Sequence, residues 1–280
     1  MVKVLHAGFY TSIQDTGRVG YQHYGVPVSG TMDARAAILA NTLLGNTADA
    51  AVLEITMSGP KLQFEVNTAI AITGANISPM LNDKRIINNH RINIEKGDIL
   101  SFGKLVSGFR SYLSVFEGFQ TDAIFGSRSM YQGITKSRTI KKGDTLQIQQ
   151  IRKANTKHFA SLKIDDVYLN TSTLGVFKGP EFDKLPITKQ EQLFKQTFTV
   201  AKENNRMAYQ FEEAIVNTLD AILTAPVTVG TVQLTPSGKL IALMKDCQTT
   251  GGYPRVLQLS EAAIHILAQK ITGSSLRFKL

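Results

Sequence analysis

The feature that most constrains this chain is the run of residues 13–33. It packs Gly17, Gly20, Gly25, Gly30, Pro27, Asp15, Asp33, Arg18 and His23 into one irregular segment ahead of an alanine-rich stretch. A loop of this length inside a compact domain is usually functional or disordered, and Tyr21, Tyr24, Val26 and Val28 argue against disorder. The segment therefore reads as an ordered, backbone-rich loop that feeds a helix. That helix is expected over residues 33–46, with Ala36, Ala37, Leu39, Ala40, Leu43 and Leu44 on one face, Asp33 as N-cap and Gly45 just past the end.

Beyond it the pattern becomes short β-rich runs at 61–66, 68–73, 91–95, 99–102, 109–116 and 146–151, with Asn82-Asp83 at a hairpin tip. A small echo links residues 94–100 to 140–146: both place Gly-Asp at a turn opening a strand, and suit a barrel with recurring turns. The polar stretch 153–163 suggests a boundary between a β-rich half at 1–153, carrying the loop and one helix, and a β-barrel half at 154–280; the halves can intertwine. Further strands are expected at 174–178, 198–200, 221–223, 227–234, 240–244 and 275–279, and helices at 188–196 and 260–270. Many short strands with few helices predict a mainly β fold with barrel architecture.

Thirty-one Lys and Arg against 22 Asp and Glu give a net charge of +9. The basic residues are scattered; clusters such as Lys136 to Arg138 with Lys141-Lys142, and Arg152-Lys153, lack the interleaved aromatics of a nucleic-acid platform. The single cysteine, Cys247, excludes an intramolecular disulfide and suits a reducing compartment. No signal-peptide core opens the sequence and no apolar run reaches the roughly 18 residues of a membrane helix. The expectation is a soluble, cytoplasmic protein that binds neither nucleic acid nor membrane.

Three loops carry candidate chemistry. A tight turn at Gly17 can bring Asp15 and Arg18 together, leaving guanidinium donors for an anion; the plainer reading is a surface ion pair ordering the loop. Asp246 to Arg255 is glycine-rich at Gly251-Gly252, so its backbone can approach a ligand, with Gln248, Thr249 and Thr250 as polar neighbours; it can equally be a barrel corner. Asn204 to Met207 forms a polar turn that can serve as a third loop or as surface alone. Cys247 has no local base and reads as buried filler rather than nucleophile. His6, His23, His90, His158 and His265 are dispersed without ligand spacing, so no metal is expected. Ser237-Gly238-Lys239 lacks the rest of a phosphate loop.

Several long motifs then resemble one family: Gln14-Asp15-Thr16-Gly17-Arg18-Val19-Gly20-Tyr21-Gln22, Gly25-Val26-Pro27, Ser29-Gly30 and Asp33, Gly108-Phe109-Arg110-Ser111-Tyr112-Leu113, Asn205-Arg206-Met207, Pro226 to Leu234 and Gln248 to Arg255. The chain is similar throughout to the KipA family, also described as allophanate hydrolase subunit 2-like or biotin-dependent carboxyltransferase-like. The resemblance implies a cyclophilin-like β-barrel architecture and a role as the C subunit of an ATP-dependent 5-oxoprolinase. In that system a KipI-like B subunit and a LamB/YcsF-like A subunit are partners, and 5-oxo-L-proline is opened to L-glutamate. ATP belongs to the complex. One alternative is carboxyl transfer to urea or another small amide, with biotin on a separate carrier; another is a non-enzymatic regulator binding a KipI-type kinase inhibitor. The chain departs from the family pattern at Ala208, Gln210, residues 132–138 and Cys247, which bears on anion handling. The residues expected to act are Asp15, Arg18, His23, Asp33 and Arg206 in catalysis, with Asn205, Gln248, Thr249 and Tyr253 contacting substrate.

Overall fold

A computed structural model describes residues 1–151 and 166–280. The boundary expected at 153–163 lies outside the described residues, as do Arg152, Lys153 and His158. The chain forms two compact units. Unit 1 comprises Met1–Gly17 and Asp33–Asn170, and unit 2 comprises Arg18–Met32 and Thr171–Leu280. Most of the long glycine-rich loop thus leaves the unit in which it begins and becomes part of the other.

In unit 1 the strands are β1 (Val2–His6), β2 (Tyr10–Gln14), β3 (Val52–Thr56), β4 (Lys61–Phe64), β5 (Thr68–Asn76), β6 (Pro79–Leu81), β7 (Lys84–Arg85), β8 (Arg91–Ile94), β9 (Ile99–Phe102), β10 (Ser107–Val115) and β11 (Thr145–Leu146). One sheet runs β11-β1-β4-β9-β6-β7 and the other β2-β3-β10-β5-β8. Val2, Val4, Leu62, Phe64 and Leu100 from the first sheet pack with Ile13, Leu53, Ile55, Ile70, Ile72 and Leu113 from the second. Helix α1 (Ala34–Leu44) lies on β5 and β10, and its Ala36 and Ala37 cluster with Tyr112 of β10 and Val52 of β3. That second covering explains why β5 shows no polar alternation: a strand packed on both faces has no solvent side. Asp33 caps α1 by accepting from the Ala36 amide at 3.1 Å, and Gly45 closes it at φ 74°, as expected.

The Gly-Asp echo has one physical basis in both places. Gly97 and Gly143 take φ of 100° and 93°, while Asp98 and Asp144 accept the amides of Glu95 and Lys141 at 2.8 and 2.7 Å. These turns belong to the two-sheet unit rather than to the barrel for which they were expected. The strand expected at 146–151 stops at Leu146.

Unit 2 is built on a closed barrel, in the order β12 (Thr173–Lys178), β19 (Arg255–Leu259), β16 (Thr231–Leu234), β17 (Lys239–Leu243), β14 (Ala208–Ala214), β13 (Phe198–Asn204) and β20 (Ser275–Lys279). Closure pairs β12 with β20 in parallel and leaves the barrel no free edge. Phe198, Phe211 and Phe278 meet in its core with ring centroids 5.1–5.9 Å apart, alongside Val232, Leu234, Ala242 and Leu257. Helices α2 (Ile187–Lys195) and α3 (Glu261–Ala268) contribute Leu193, Ala263 and Leu267 to the same core. A two-residue pair, β15 (Ala225–Pro226) with β18 (Thr250–Gly251), stands outside the barrel. Residues 221–223, expected as a strand, are irregular; the 227–234 strand is confined to its last four residues. The fold is mainly β with barrel architecture and three short α-helices among the described residues, as anticipated. None of these helices is long and apolar enough to cross a membrane.

Candidate functional site

Of the expected site residues, Asp15 and Asp33 fall in unit 1, whereas Arg18, His23, Asn205, Arg206, Gln248, Thr249 and Tyr253 fall in unit 2. Their local environments divide them further, into side chains already committed and side chains still open.

Asp15 is committed. Its Oδ1 accepts from Gly17 N at 2.8 Å, Ser127 Oγ at 2.6 Å and Ser129 Oγ at 2.7 Å, and Oδ2 accepts from Arg128 N at 2.6 Å. The carboxylate clamps the distant segment Ser127 to Ser129 onto the end of β2. Asp33, fully buried, is committed as well: beyond capping α1, its Oδ2 accepts from Tyr168 Oη at 2.7 Å. Its amide donates to Tyr112 Oη at 2.8 Å, and that hydroxyl donates to Glu54 Oε2 at 2.9 Å. Burial, followed by the charge of Glu54, pushes the Tyr112 phenol well up; burial, then the charge of Asp33, does the same to Tyr168. Both phenols therefore remain hydrogen-bond donors to carboxylates at neutral pH.

Arg206 is the organising group of unit 2. It sits in the turn between β13 and β14, which Asn205 fixes by accepting the amides of Met207 and Ala208 at 2.7 and 3.2 Å. Arg206 Nε and Nη2 donate to Asp246 Oδ2 and Oδ1 at 2.8 and 3.1 Å, and Nη2 also reaches the Gly30 carbonyl at 2.7 Å. The Asp246 amide returns a bond to the Arg206 carbonyl at 2.8 Å, and Ser29 N donates to Lys245 O at 2.9 Å. One guanidinium thus joins the end of the long loop, the β13–β14 turn and the start of the glycine-rich segment. Arg206 is 5% exposed, so the turn expected at the surface carries a buried cation. Arg18 is fully buried rather than part of a surface pair, with its amide on Val28 O at 2.6 Å. His23 is exposed in a short 3-10 turn, its ring 3.9 Å from that of Tyr24.

The remaining residues are open. The Gln248 amide, the Thr249 hydroxyl, the Tyr253 hydroxyl and Asn205 Nδ2 make no hydrogen bond to a described residue, although the backbones that carry them are tied down. Val227 N donates to Thr249 O at 3.1 Å, Ile222 N to Gly252 O at 3.0 Å, and Gln233 Nε2 reaches Tyr253 O at 3.4 Å. A Cβ at Gly251 would lie 2.5 Å from Gln233 Nε2, so a larger residue there would make that side-chain amide shift. Cys247 is buried filler, and burial, aided by the Asp246 charge, pushes its thiol up to about 11.

Two features of unit 2 escaped sequence reasoning. Arg255 grips Glu181 through Nε and Nη2 at 3.0 and 2.9 Å, beside a cavity of about 500 Å³ lined in part by Lys184, Leu219, Ile222 and Pro254. Glu181 was not singled out because its partner lies 74 residues away. Ser29 takes φ 56° with its hydroxyl buried, next to Gly30 at φ 89°; the Ser-Gly pair after Pro27 was the only signal available.

A family model described as carboxyltransferase domain, subdomain A and B, matches residues 24–280. The chain is 32% identical to the 5-oxoprolinase C subunit of Escherichia coli (strain K12), over 99% of this chain and 90% of that protein. It is 29% identical to the 5-oxoprolinase C subunit of Haemophilus influenzae, over 100% and 91%. Among solved structures, the K. lactis urea amidolyase aligns with a TM-score of 0.87 at 29% identity, over 99% of this chain. The chain spans only 18% of that much longer protein.

Proposed function

Because the chain belongs to the carboxyltransferase domain, subdomain A and B, family, we propose that it is the C subunit of an ATP-dependent 5-oxoprolinase complex. In this reading it acts with a KipI-like B subunit and a LamB/YcsF-like A subunit, is inactive alone, and helps activate 5-oxo-L-proline for ring opening to L-glutamate. The observation that carries the reading is the end-to-end match to two proteins named as 5-oxoprolinase C subunits, which covers 90% and 91% of their length.

The site chemistry is compatible with that task. A lactam carbonyl is a poor electrophile; phosphorylation of its oxygen would make the ring carbon reactive enough for water to add, after which the C–N bond breaks to free the amine and the acyl phosphate left behind hydrolyses to carboxylate and phosphate. Such a step needs a substrate held by directional polar contacts. Gln248, Thr249, Tyr253 and Asn205 Nδ2 are the open groups that would supply them. Arg206, Asp15 and Asp33 act in this reading by positioning, since their polar atoms already hold the protein itself. Arg18 supplies fixed positive charge, and His23 an exposed imidazole for proton transfer.

Among the described residues, the two features most like a phosphate site are already engaged. Thr250–Gly251 is paired with Ala225–Pro226 rather than open as a cradle, and Lys239 Nζ is engaged by the Glu212 carbonyl. In this reading ATP belongs to the complex as a whole, and no step is routed through ATP on this chain. The match to a urea amidolyase favours a second reading, carboxyl transfer to a small amide with biotin on a separate carrier.

The test is reconstitution of the purified chain with its KipI-like and LamB/YcsF-like partners, following glutamate from 5-oxo-L-proline with and without ATP and omitting each protein in turn. Glutamate that requires ATP and all three proteins is expected. An assembled complex inert on 5-oxoproline but active on urea with a biotin carrier would overturn the assignment in favour of the second reading.

A further inference from the structure

The cavity of about 500 Å³ in unit 2 is lined by none of the residues proposed above to hold the substrate, and the chain is built to keep it open. One wall is the segment between β14 and β15, residues 215–224, which forms neither helix nor strand. That segment is nonetheless pinned. Asn217 Nδ2 donates to the Ile215 and Thr235 carbonyls at 3.1 and 3.2 Å, and its Oδ1 accepts the Leu219 amide at 3.1 Å. Further along, Ile222 N is tied to Gly252 O at 3.0 Å, and Arg255 Nη1 donates to Pro226 O at 3.2 Å. A surface loop held this firmly, whose side chains leave a hollow rather than fill it, has the build of a preformed binding site.

The lining indicates what would enter. Leu219, Ile222, Leu223 and Pro254 give an apolar wall, and Leu223 is 94% exposed. Such a wall favours an occupant with a hydrocarbon body that takes it out of water. Two charges of each sign also line the cavity. Glu181 and Arg255 are spent on each other, through bonds of 2.9 and 3.0 Å. Lys184 and Asp220 are not: neither the ammonium nor the carboxylate makes a hydrogen bond or ion pair to a described residue. A simple anion entering would meet the unpaired Asp220, and a simple cation the unpaired Lys184. A ligand carrying one charge of each sign gives both an opposite partner.

We infer that this cavity is a second binding site, for a free α-amino acid with an apolar side chain: Lys184 Nζ donates to its carboxylate, the Asp220 carboxylate accepts from its ammonium, and Leu219, Ile222, Leu223 and Pro254 cover the side chain. Pro254 and Arg255 directly follow Tyr253, so the occupant lies against the segment that carries the proposed substrate contacts. The site does not depend on whether the chain serves a 5-oxoprolinase.

The experiment is titration of the full chain, followed by NMR, with L-leucine, glycine, 4-methylpentanoate and 3-methylbutylamine. Glycine lacks the side chain of L-leucine, 4-methylpentanoate its ammonium and 3-methylbutylamine its carboxylate. Saturable binding of L-leucine is expected, moving the resonances of Ile222 and Leu223, with each of the other three about tenfold weaker. Lys184 and Asp220 are exposed, so Lys184→Gln and Asp220→Asn should fold as the wild type does. Lys184→Gln should weaken L-leucine about tenfold without weakening 3-methylbutylamine, and Asp220→Asn should weaken L-leucine about tenfold without weakening 4-methylpentanoate. No saturable binding of L-leucine, equal binding of any of the three truncated probes, or unchanged L-leucine affinity in either variant would overturn the assignment.

Discussion

Arg206 and Asp246 form a two-point ion pair across 40 residues of sequence, with N–O distances of 2.8 and 3.1 Å and exposures of 5% and 12%. The same guanidinium holds the Gly30 carbonyl. The pair is therefore a structural joint of the barrel unit, and the loop of residues 18–32 depends on it. Arg206→Ala leaves a largely buried carboxylate unpaired and should lower the unfolding free energy by about 3 kcal/mol, read from urea denaturation. A variant as stable as the wild type would show that the pair holds nothing.

Asp15 offers a parallel case in the two-sheet unit. Asp15→Ala strands two hydroxyls and two amides and should cost roughly 2–3 kcal/mol. Hydrogen exchange should accelerate across the Ser127 to Ser129 segment while β5 and β10 keep their protection. Uniform acceleration through the unit would contradict the clamp.

The Glu181–Arg255 pair predicts a pH signature. The hydrogen bond from Arg255 holds the Glu181 carboxyl below its ordinary value, against the opposing effect of burial. A carboxyl whose pKa is depressed on folding stabilises the fold above its unfolded value of about 4.3, and that contribution fades as pH falls through the folded value. The stability difference between wild type and Glu181→Gln should therefore be constant from about pH 8 to 6 and shrink below about pH 4. A difference that stays unchanged down to pH 3 would contradict the linkage.

Cys247 should be silent. With its thiol pushed up to about 11, only on the order of one in several thousand is ionised near pH 7.5, and the side chain is buried. A disulfide reagent should label it at the rate of unfolding, and Cys247→Ala should retain the reconstituted activity. Rapid stoichiometric labelling of the native chain would show instead an open, activated thiol.

Much of the fold was legible locally. Asp33 and Gly45 mark the ends of α1 because capping is a contact within four residues, and the Gly-Asp turns repeat because glycine and aspartate satisfy one backbone turn wherever it occurs. Short strands with few helices were enough to indicate a mainly β barrel. Residues 221–223 failed as a strand because apolar composition cannot report whether a pairing partner exists. The absence of alternation in β5 became intelligible only once α1 was seen to cover its second face.

What the sequence determined by itself was the residue types available for chemistry and the segments that had to be turns, caps and strands. The tertiary structure decided which of those residues are spent and which remain open. Asp15, Asp33 and Arg206 looked as available as Gln248, but their partners lie at Ser127 to Ser129, Tyr168 and Asp246, far along the chain. The physical reason is that a polar side chain's role depends on whether its hydrogen bonds are already made, and long-range pairing leaves no mark in local composition. Ser29 shows the same principle in reverse: the sequence marks it only as half of a Ser-Gly motif, and the fold reveals its positive φ and a buried hydroxyl without a described partner.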